Sequence, residues 1–148
     1  MNQHRPDPLL HIALVHPEIP QNTGNIGRLA LGIGARLHLV HPLGFQTDAK
    51  AVRRAGLDYW RHVDLVEHPD IQAFRDWAAG RPVVALSKRS DTPYTAWDWA
   101  PGTVMVLGRE STGLEPALLQ QWPGLCIPMA GPTRSLNLSN AASVVAYH

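Results

Sequence analysis

The sequence has a single cysteine, almost no net charge and no long apolar run. One cysteine, Cys126, excludes an intrachain disulfide and favours a reducing compartment, so we expect a cytoplasmic protein. A formal charge of +1 over 148 residues leaves any binding of nucleic acid to a local basic patch, because the protein as a whole carries no strong field. Residues 1–8 lack the apolar core of a signal peptide, and no later run is long enough to cross a bilayer. The sequence therefore predicts a soluble protein without a membrane partner.

Signatures of several enzyme classes are also missing. Neither G-x-G-x-x-G nor Gly-Lys-Ser/Thr occurs, so we predict no dinucleotide fingerprint and no P-loop. No Ser/His/Asp order and no paired carboxylates in a common loop indicate a hydrolase. His38 and His41, like His62 and His68, lie near the ends of predicted strands, but no cysteine or carboxylate cluster of ligand spacing accompanies them. We therefore predict no metal site.

What is present is the composition of one globular domain over residues 1–148, with 45% hydrophobic and 17% charged residues. Apolar runs and helical patterns alternate along the chain. Strands are predicted at 9–15, 36–40, 62–66, 82–86, 103–107 and 125–129, and helices at 26–34, from 48, from 70 to a stop at 80, at 115–122 and from 138. The central strands are apolar on both faces, which predicts an α/β fold with an open, mostly parallel sheet and helices on both faces. Its ligand should lie beyond the carboxyl ends of the strands.

The first loop of interest, residues 18–25, follows the first strand and leads into the helix predicted at 26–34. Its glycine allows a tight turn, and free amides at a helix start favour an anion such as phosphate. Arg28 falls in the first predicted turn, where a positive charge opposes the helix dipole. We interpret this position as functional, the alternative being a solvated surface arginine.

The second loop follows the strand at 103–107 and begins at Gly108. A glycine there would let a ligand approach the backbone. Glu110 could bind a substrate, pair with Arg109 or cap a helix. Trp97 and Trp99, in the preceding loop, are interpreted as packing or interface residues, with RNA stacking as the alternative.

The third loop is broken by glycine and proline and leads into the last helix. Arg134, Ser135, Asn137, Ser139 and Asn140 stand close together in it. Any one of the serines or asparagines is commonly an N-cap. The group with an arginine offers many hydrogen-bonding atoms in a small volume, so we expect a polar ligand here.

Together the three loops resemble the SPOUT superfamily of RNA methyltransferases. The matching motifs are Asn22-Thr23-Gly24-Asn25-Ile26-Gly27-Arg28, Leu107-Gly108-Arg109-Glu110-Ser111-Thr112-Gly113-Leu114 and Ile127-Pro128-Met129 with Ser135-Leu136-Asn137-Leu138-Ser139-Asn140-Ala141. Segments 18–25 and 53–59, without an appended RNA-binding domain, are similar to the branch that methylates the wobble ribose of tRNA.

The resemblance implies a C-terminal deep trefoil knot, an obligate homodimer and S-adenosyl-L-methionine as cofactor. The positions that match cofactor contacts are Leu86, Gly108, Ile127 and Ser135. The positions that match those acting on the ribose are Arg28, Asn22, Glu110, Ser135 and Asn137. In the family, Arg28 would come from one protomer and the cofactor from the other.

The implied substrate is the ribose 2′-hydroxyl of the wobble nucleotide, cytidine or modified uridine, in the tRNA anticodon stem-loop. Candidate contacts to RNA phosphates are Arg53, Arg54, Lys88, Arg89 and Arg134, although the first two could be merely solvated on a helix. Another tRNA site, rRNA, or a non-catalytic RNA-binding scaffold dimer are the alternatives.

Overall fold

A computed structural model of the chain describes residues 6–45, 57–132 and 136–148. Within these ranges the strands form a single sheet in the order β3-β2-β1-β5-β4-β6, and every pairing is parallel. The strands are β1 (Leu10–Val15), β2 (Arg36–Val40), β3 (Leu65–His68), β4 (Val83–Leu86), β5 (Thr103–Leu107) and β6 (Gly124–Leu125). The helices are α1 (Pro20–Ile33), α2 (Ile71–Ala78), α3 (Pro116–Gln121) and α4 (Leu138–Ala146), with short 3₁₀ turns at Leu57–His62 and Tyr94–Ala96. The predicted open parallel sheet is confirmed.

The sheet has a hydrophobic core on each face. Ile26 of α1 and Val145 of α4 pack on one face. Phe74 of α2 and Leu118 of α3 pack on the other. Every residue of β5 is buried, because the strand lies in the middle of the sheet under helices on both sides. Full burial of one large apolar side chain such as Phe74 stabilises the fold by about 1.5–3 kcal/mol.

The residues that begin and end helices predicted the position of α2 correctly. The Asp70 carboxylate accepts a hydrogen bond from the Ala73 amide at 2.8 Å and caps the helix. Gly80, with φ of +80°, adopts the left-handed conformation just beyond the helix end. The helix predicted from Asp48, which would carry Arg53 and Arg54, lies outside the described residues.

Two strand predictions were wrong in their bounds. The strand predicted at 62–66 is observed at Leu65–His68, because a 3₁₀ turn at Leu57–His62 occupies the preceding residues. The strand predicted at 125–129 ends at Leu125. The next residue, Cys126, bonds instead to the loop at 92–94, and Pro128 has no amide hydrogen to continue a ladder.

The strand order determines where along the edge of the sheet a ligand site is expected. After β1 the chain forms β2 and then β3 on one side of it. It then crosses to the other side, where β5 lies next to β1, followed by β4 and β6. In open α/β sheets, such a switch point leaves a crevice between neighbouring loops at the carboxyl ends of the strands. In the described part of the chain no helix is both long and apolar enough for a membrane span.

Candidate active-site cleft

A cleft of about 380 Å³ lies at this switch point. Its walls are the loops that follow β4, β5 and β6, together with the start of α1 and of α4. Six predicted site residues line it: Asn22, Leu86, Gly108, Glu110, Ile127 and Asn137. Parallel strands bring these loops together because their carboxyl ends all meet at one edge of the sheet.

The first loop is mostly helix, which corrects the sequence interpretation. α1 begins at Pro20, six residues before the predicted start, and a proline in the first turn is a known start signal that the prediction did not use. Residue 19 caps the helix without a side-chain hydrogen bond. The predicted helix start at residue 26 is therefore wrong, since Asn22 already lies in the first turn of α1, whereas an anion site at this helix start stays a prediction.

Glu110 occupies the helix start instead. Its carboxylate oxygens accept hydrogen bonds from the amides of Glu18 and Ile19, both at 2.8 Å. The same carboxylate accepts from Nδ2 of Asn22 at 3.3 Å. Of the roles left open for Glu110, the cap is observed, and among the ion pairs of the described residues there is none between Glu110 and Arg109. A negative group at a helix start also interacts favourably with the helix dipole.

Asn22 is buried on the first turns of α1, with 5% of its surface exposed. Its Nδ2 group is held by Glu110 and it lines the cleft. A buried amide that is fixed in orientation can present its remaining polar atoms to a ligand at little entropic cost.

The loop after β5 is a tight hairpin. Amide and carbonyl groups of Arg109 and Gly113 exchange hydrogen bonds of 3.2 and 2.8 Å, and Gly113 has a φ of +71°. A Cβ atom at Gly108 would lie 2.2 Å from the carbonyl carbon of Gly113. The close approach of the loop to itself thus requires glycine at 108, and because Gly108 also lines the cleft, the approach of a ligand to its backbone stays a prediction.

A second carboxylate, that of Glu18 in the loop after β1, binds to the loop after β5. Glu18 accepts hydrogen bonds from the amide of Ser111 at 3.0 Å and from its hydroxyl at 2.7 Å. These bonds hold the pKa of Glu18 below its ordinary value. Neither Glu18 nor Ser111 was among the predicted site residues, because the bond joins two loops distant in sequence.

The third loop contributes Asn137 at the start of α4. Its side-chain oxygen accepts from the amide of Ser139 at 2.9 Å and from its hydroxyl at 2.6 Å. Asn137 is therefore an N-cap that also lines the cleft. Ser135 and Arg134 lie outside the described residues.

Arg28 lies apart from the other site residues. It lies in the interior of α1, more than two turns after the helix start, so the dipole argument for its position was wrong. It lines a second, more open cleft of about 460 Å³ between α1 and α4. The other residues of that cleft are Asn25, Leu29, Gly32, Ser139, Asn140, Ser143 and Tyr147.

Three cations line the mouth of the first cleft: Lys88, Arg89 and Arg109. The ion pairs found among residues 6–45, 57–132 and 136–148 involve none of them. Arg109 interacts electrostatically with the carboxylate of Glu18, and Lys88 and Arg89 are available to an anionic ligand. The other predicted patch residues, Arg53 and Arg54, lie outside the described residues.

A polar network far from the cleft was not foreseen. Buried His11, His38 and His68 stand on three neighbouring strands, and their ring nitrogens are joined in a chain by two contacts of 2.9 Å. Nε2 of His11 also lies 3.1 Å from the carboxylate of Asp7. Burial lowers the pKa of all three rings, that of His38 to about 2. Within the described residues no group of three or more potential ligands could hold a metal ion.

Of the two tryptophans in the loop before β5, Trp99 differs in environment from a stacking platform. Trp99 packs against the core, and its indole nitrogen donates to the carbonyl of Tyr94 at 3.0 Å. That contact agrees with the packing interpretation.

The fold and the cleft define an α/β protein with a ligand site at the switch point of a parallel sheet. The model of the SpoU rRNA Methylase family matches residues 9–147. The chain belongs to this family.

Relatives that match nearly the full length of the chain have names that specify an activity. The chain is 42% identical over 142 residues to a tRNA (cytidine(34)-2'-O)-methyltransferase of Aeromonas hydrophila, covering 94% of this chain and 91% of the relative. A solved structure described as giving structural insights into the 2-OH methylation of C/U34 on tRNA is similar with a TM-score of 0.92 and 44% identity, covering 96% of this chain and 94% of the other. An AdoMet-bound rRNA methyltransferase of Sinorhizobium meliloti is 27% identical with a TM-score of 0.87, covering 97% of this chain and 56% of that one.

Proposed function

We propose that this protein methylates the ribose 2′-hydroxyl of nucleotide 34, a cytidine or modified uridine at the wobble position of tRNA, using S-adenosyl-L-methionine. The observation that carries the proposal is that three motif loops, distant in sequence, meet around one cleft at the switch point of the sheet. The tRNA relative is matched over 91% of its length and the rRNA enzyme over 56% of its own. This difference supports nucleotide 34 of tRNA over an rRNA site.

The cleft suits this cofactor in size and lining. Its volume of about 380 Å³ falls in the range of small-molecule sites, roughly 300–1,000 Å³. Its lining combines the apolar residues Leu86, Ile127 and Leu138 with the loop at 108–113, and a mixed lining of this kind suits a ligand with a flat base and a polar tail. When bound, the cofactor supplies a methyl group activated by its sulfonium, and transfer to the ribose oxygen releases S-adenosylhomocysteine and a proton.

The chain's own part is alignment, because the methyl donor is already reactive and the ribose hydroxyl is a weak nucleophile. We assign Asn22 and Asn137 to orienting the ligands across the cleft. Glu110 holds Asn22 and the start of α1. Ser135, matched by motif to both cofactor and ribose, completes the set.

Arg28 is proposed as a clamp on a substrate phosphate and as a stabiliser of the developing alkoxide. A guanidinium stays protonated in proteins, so it is unsuited to act as the base. Because Arg28 lines the second cleft, we propose that Arg28 of one protomer serves the first cleft of the other.

The homodimer that this requires is proposed to form on the face made by α1 and α4. Leu31 and Val144 are each 39% exposed and Tyr147 is 71% exposed. Exposed apolar side chains around a groove are a common feature of subunit interfaces. Val144→Glu should give a monomer by light scattering and abolish methylation, whereas a dimeric variant would contradict the assigned face.

The trefoil knot is likewise a proposal. After β6 the chain returns to the cleft at Ile127 and Met129, and it lines the cleft again at 136–138 before α4. Residues on both sides of the segment thus contact the loops through which a knot would pass. A crystal structure that traces residues 130–138 tests the threading directly.

The decisive experiment uses purified protein, labelled S-adenosyl-L-methionine and unmodified tRNA, with nuclease digestion and mass spectrometry of the product. We expect one 2′-O-methyl group at nucleotide 34. A matched tRNA with 2′-deoxyribose at that nucleotide should accept no label. Label at another tRNA position, or in rRNA only, would overturn the substrate, and a protein that binds no cofactor in calorimetry would favour the scaffold alternative.

A further inference from the structure

Two glutamates cross between the loops on either side of the switch point. Glu18, in the loop after β1, accepts two hydrogen bonds from Ser111. Glu110, in the loop after β5, accepts from the amides of Glu18 and Ile19. We call this crossed pair, with its hydrogen-bond donors, the carboxylate clasp.

The two carboxylates of the clasp fix different segments of the chain. Glu110 fixes the start of α1 and with it Asn22. Glu18 fixes the tip of the hairpin at 109–113, whose own backbone bonds join only Arg109 and Gly113. Without Glu18, Ser111 at the tip loses both hydrogen bonds that the structure gives it.

The hairpin tip is a wall of the ligand cleft. Arg109, Glu110, Ser111, Thr112 and Gly113 all line the cleft. Glu18 does not line it, so its carboxylate acts on the cleft through the hairpin, by two hydrogen bonds from Ser111 and a weaker electrostatic interaction with Arg109. A side chain that holds a cleft wall from outside reduces the ordering cost of binding.

We propose that Glu18 is a positioning residue for the ligand cleft, which sets cofactor affinity by holding Ser111 and the hairpin wall in their binding positions. This inference rests on the proposed function, because it assigns the cleft to the cofactor. It adds a residue that does not touch the ligand to those that do. Glu18 is half-buried and outside the hydrophobic core, and among the described residues its side chain hydrogen-bonds only to Ser111, so its loss should leave the core intact.

The test is a double-mutant cycle on Glu18→Ala and Ser111→Ala, with calorimetric titration of S-adenosyl-L-methionine. Loss of one or two hydrogen bonds to an ionised group at the surface predicts about a three- to tenfold rise in Kd for Glu18→Ala. Ser111→Ala keeps its backbone amide, so its effect should be smaller. If both changes remove one interaction, the double variant should bind no more weakly than Glu18→Ala.

Two further variants distinguish a positioning role of Glu18 from a general effect of removing a carboxylate. Glu115→Ala is a matched control, because Glu115 is an exposed glutamate of the same loop region whose side chain makes no cap hydrogen bond. Glu18→Gln keeps an acceptor oxygen and should recover part of the affinity. In turnover, Glu18→Ala should raise the KM for cofactor and leave kcat within about twofold, as expected for a lost contribution to ground-state and transition-state binding alike.

Amide hydrogen exchange gives a readout that needs no ligand. Exchange at Ser111 should be faster in Glu18→Ala than in wild type or Glu115→Ala, because the amide loses its acceptor. Unchanged exchange at Ser111, an unchanged Kd for Glu18→Ala, or strictly additive effects in the cycle would each overturn the inference. A different result would overturn the proposed function instead: the wild-type protein protects the amide of Ser111 from exchange but binds no cofactor. The role assigned to Glu18 in cofactor affinity would then be overturned as well.

Discussion

Acidification is expected to destabilise this protein through the buried histidine chain of His11, His38 and His68. The carboxylate of Asp7 only accepts hydrogen bonds, so Nε2 of His11 donates to it and Nδ1 of His11 is left as an acceptor. The contacts of 2.9 Å then require Nε2 of His38 to donate to His11, and Nε2 of His68 to donate to His38. Each ring is thereby neutral with its proton on Nε2.

Neither Nδ1 of His11 nor Nδ1 of His38 can take a further proton without losing a hydrogen bond of this chain. On Nδ1 of His11 or His38 it would point at the N–H group of the next ring. The charges around the chain are the half-exposed Asp7, Arg36 at 3.8 Å from it and Arg81 at 3.4 Å from it. Arg81 also lies over the ring of Trp77, which packs against the imidazoles. The two arginines oppose a positive imidazole, and burial does so more strongly.

The sign of the effect follows from these lowered pKa values. The unfolded chain takes up a proton on each histidine near pH 6.5, whereas His38 in the folded protein does so only near pH 2. The unfolded state therefore binds more protons between these values, and stability is full above pH 6.5 and falls as the pH decreases. At pH 4.5 the loss from His38 alone is about 2.7 kcal/mol, from two pH units at about 1.36 kcal/mol each. His11 and His68 add to it in the same direction.

The assay is urea unfolding, followed by tryptophan fluorescence, at intervals from pH 7.5 to 4.5. Since small proteins are stable by only about 5–15 kcal/mol, a loss of about 2.7 kcal/mol or more by pH 4.5 should lower the urea midpoint measurably across this range. His38→Gln should destabilise the protein at pH 7.5 but reduce the slope by about one proton. His62→Gln, at an exposed histidine, is the control and should leave the slope unchanged. If His38→Gln and His62→Gln have equal slopes, the reasoning is refuted.

Three other changes test the site. Arg28→Lys should lower kcat by about 10²–10³ at every pH, because a lysine cannot form the bidentate clamp, and a small defect would contradict that role. Replacing Lys88 and Arg89 with glutamine should weaken tRNA binding and reduce the slope of log Kd against log salt by about 0.7 per lost phosphate contact, and an unchanged slope would remove both from the RNA surface. Asn137→Ala should cost about 1 kcal/mol of stability through the lost cap of α4, measured by thermal unfolding against Asn140→Ala, and equal melting temperatures would argue against the cap.

Local patterns in the sequence were sufficient for the parallel sheet and most of its elements. The strands at 36–40 and 103–107 were predicted with their observed bounds, and α2 was located by Asp70 and Gly80. Apolar runs and capping residues act over a few positions, so they can be recognised without the fold. The motifs likewise indicated six residues that line one cleft.

Contacts between distant segments needed the tertiary structure. The sequence shows Glu110 as a loop residue, but only the pairing of β1 with β5 brings it to the start of α1. Arg28 shares a motif with Asn22, yet the helix that contains both carries it to another cleft. The three buried histidines meet because three parallel strands align them on one face. Hydrogen bonds of this kind depend on strand order and register, which residues far apart in the chain determine together.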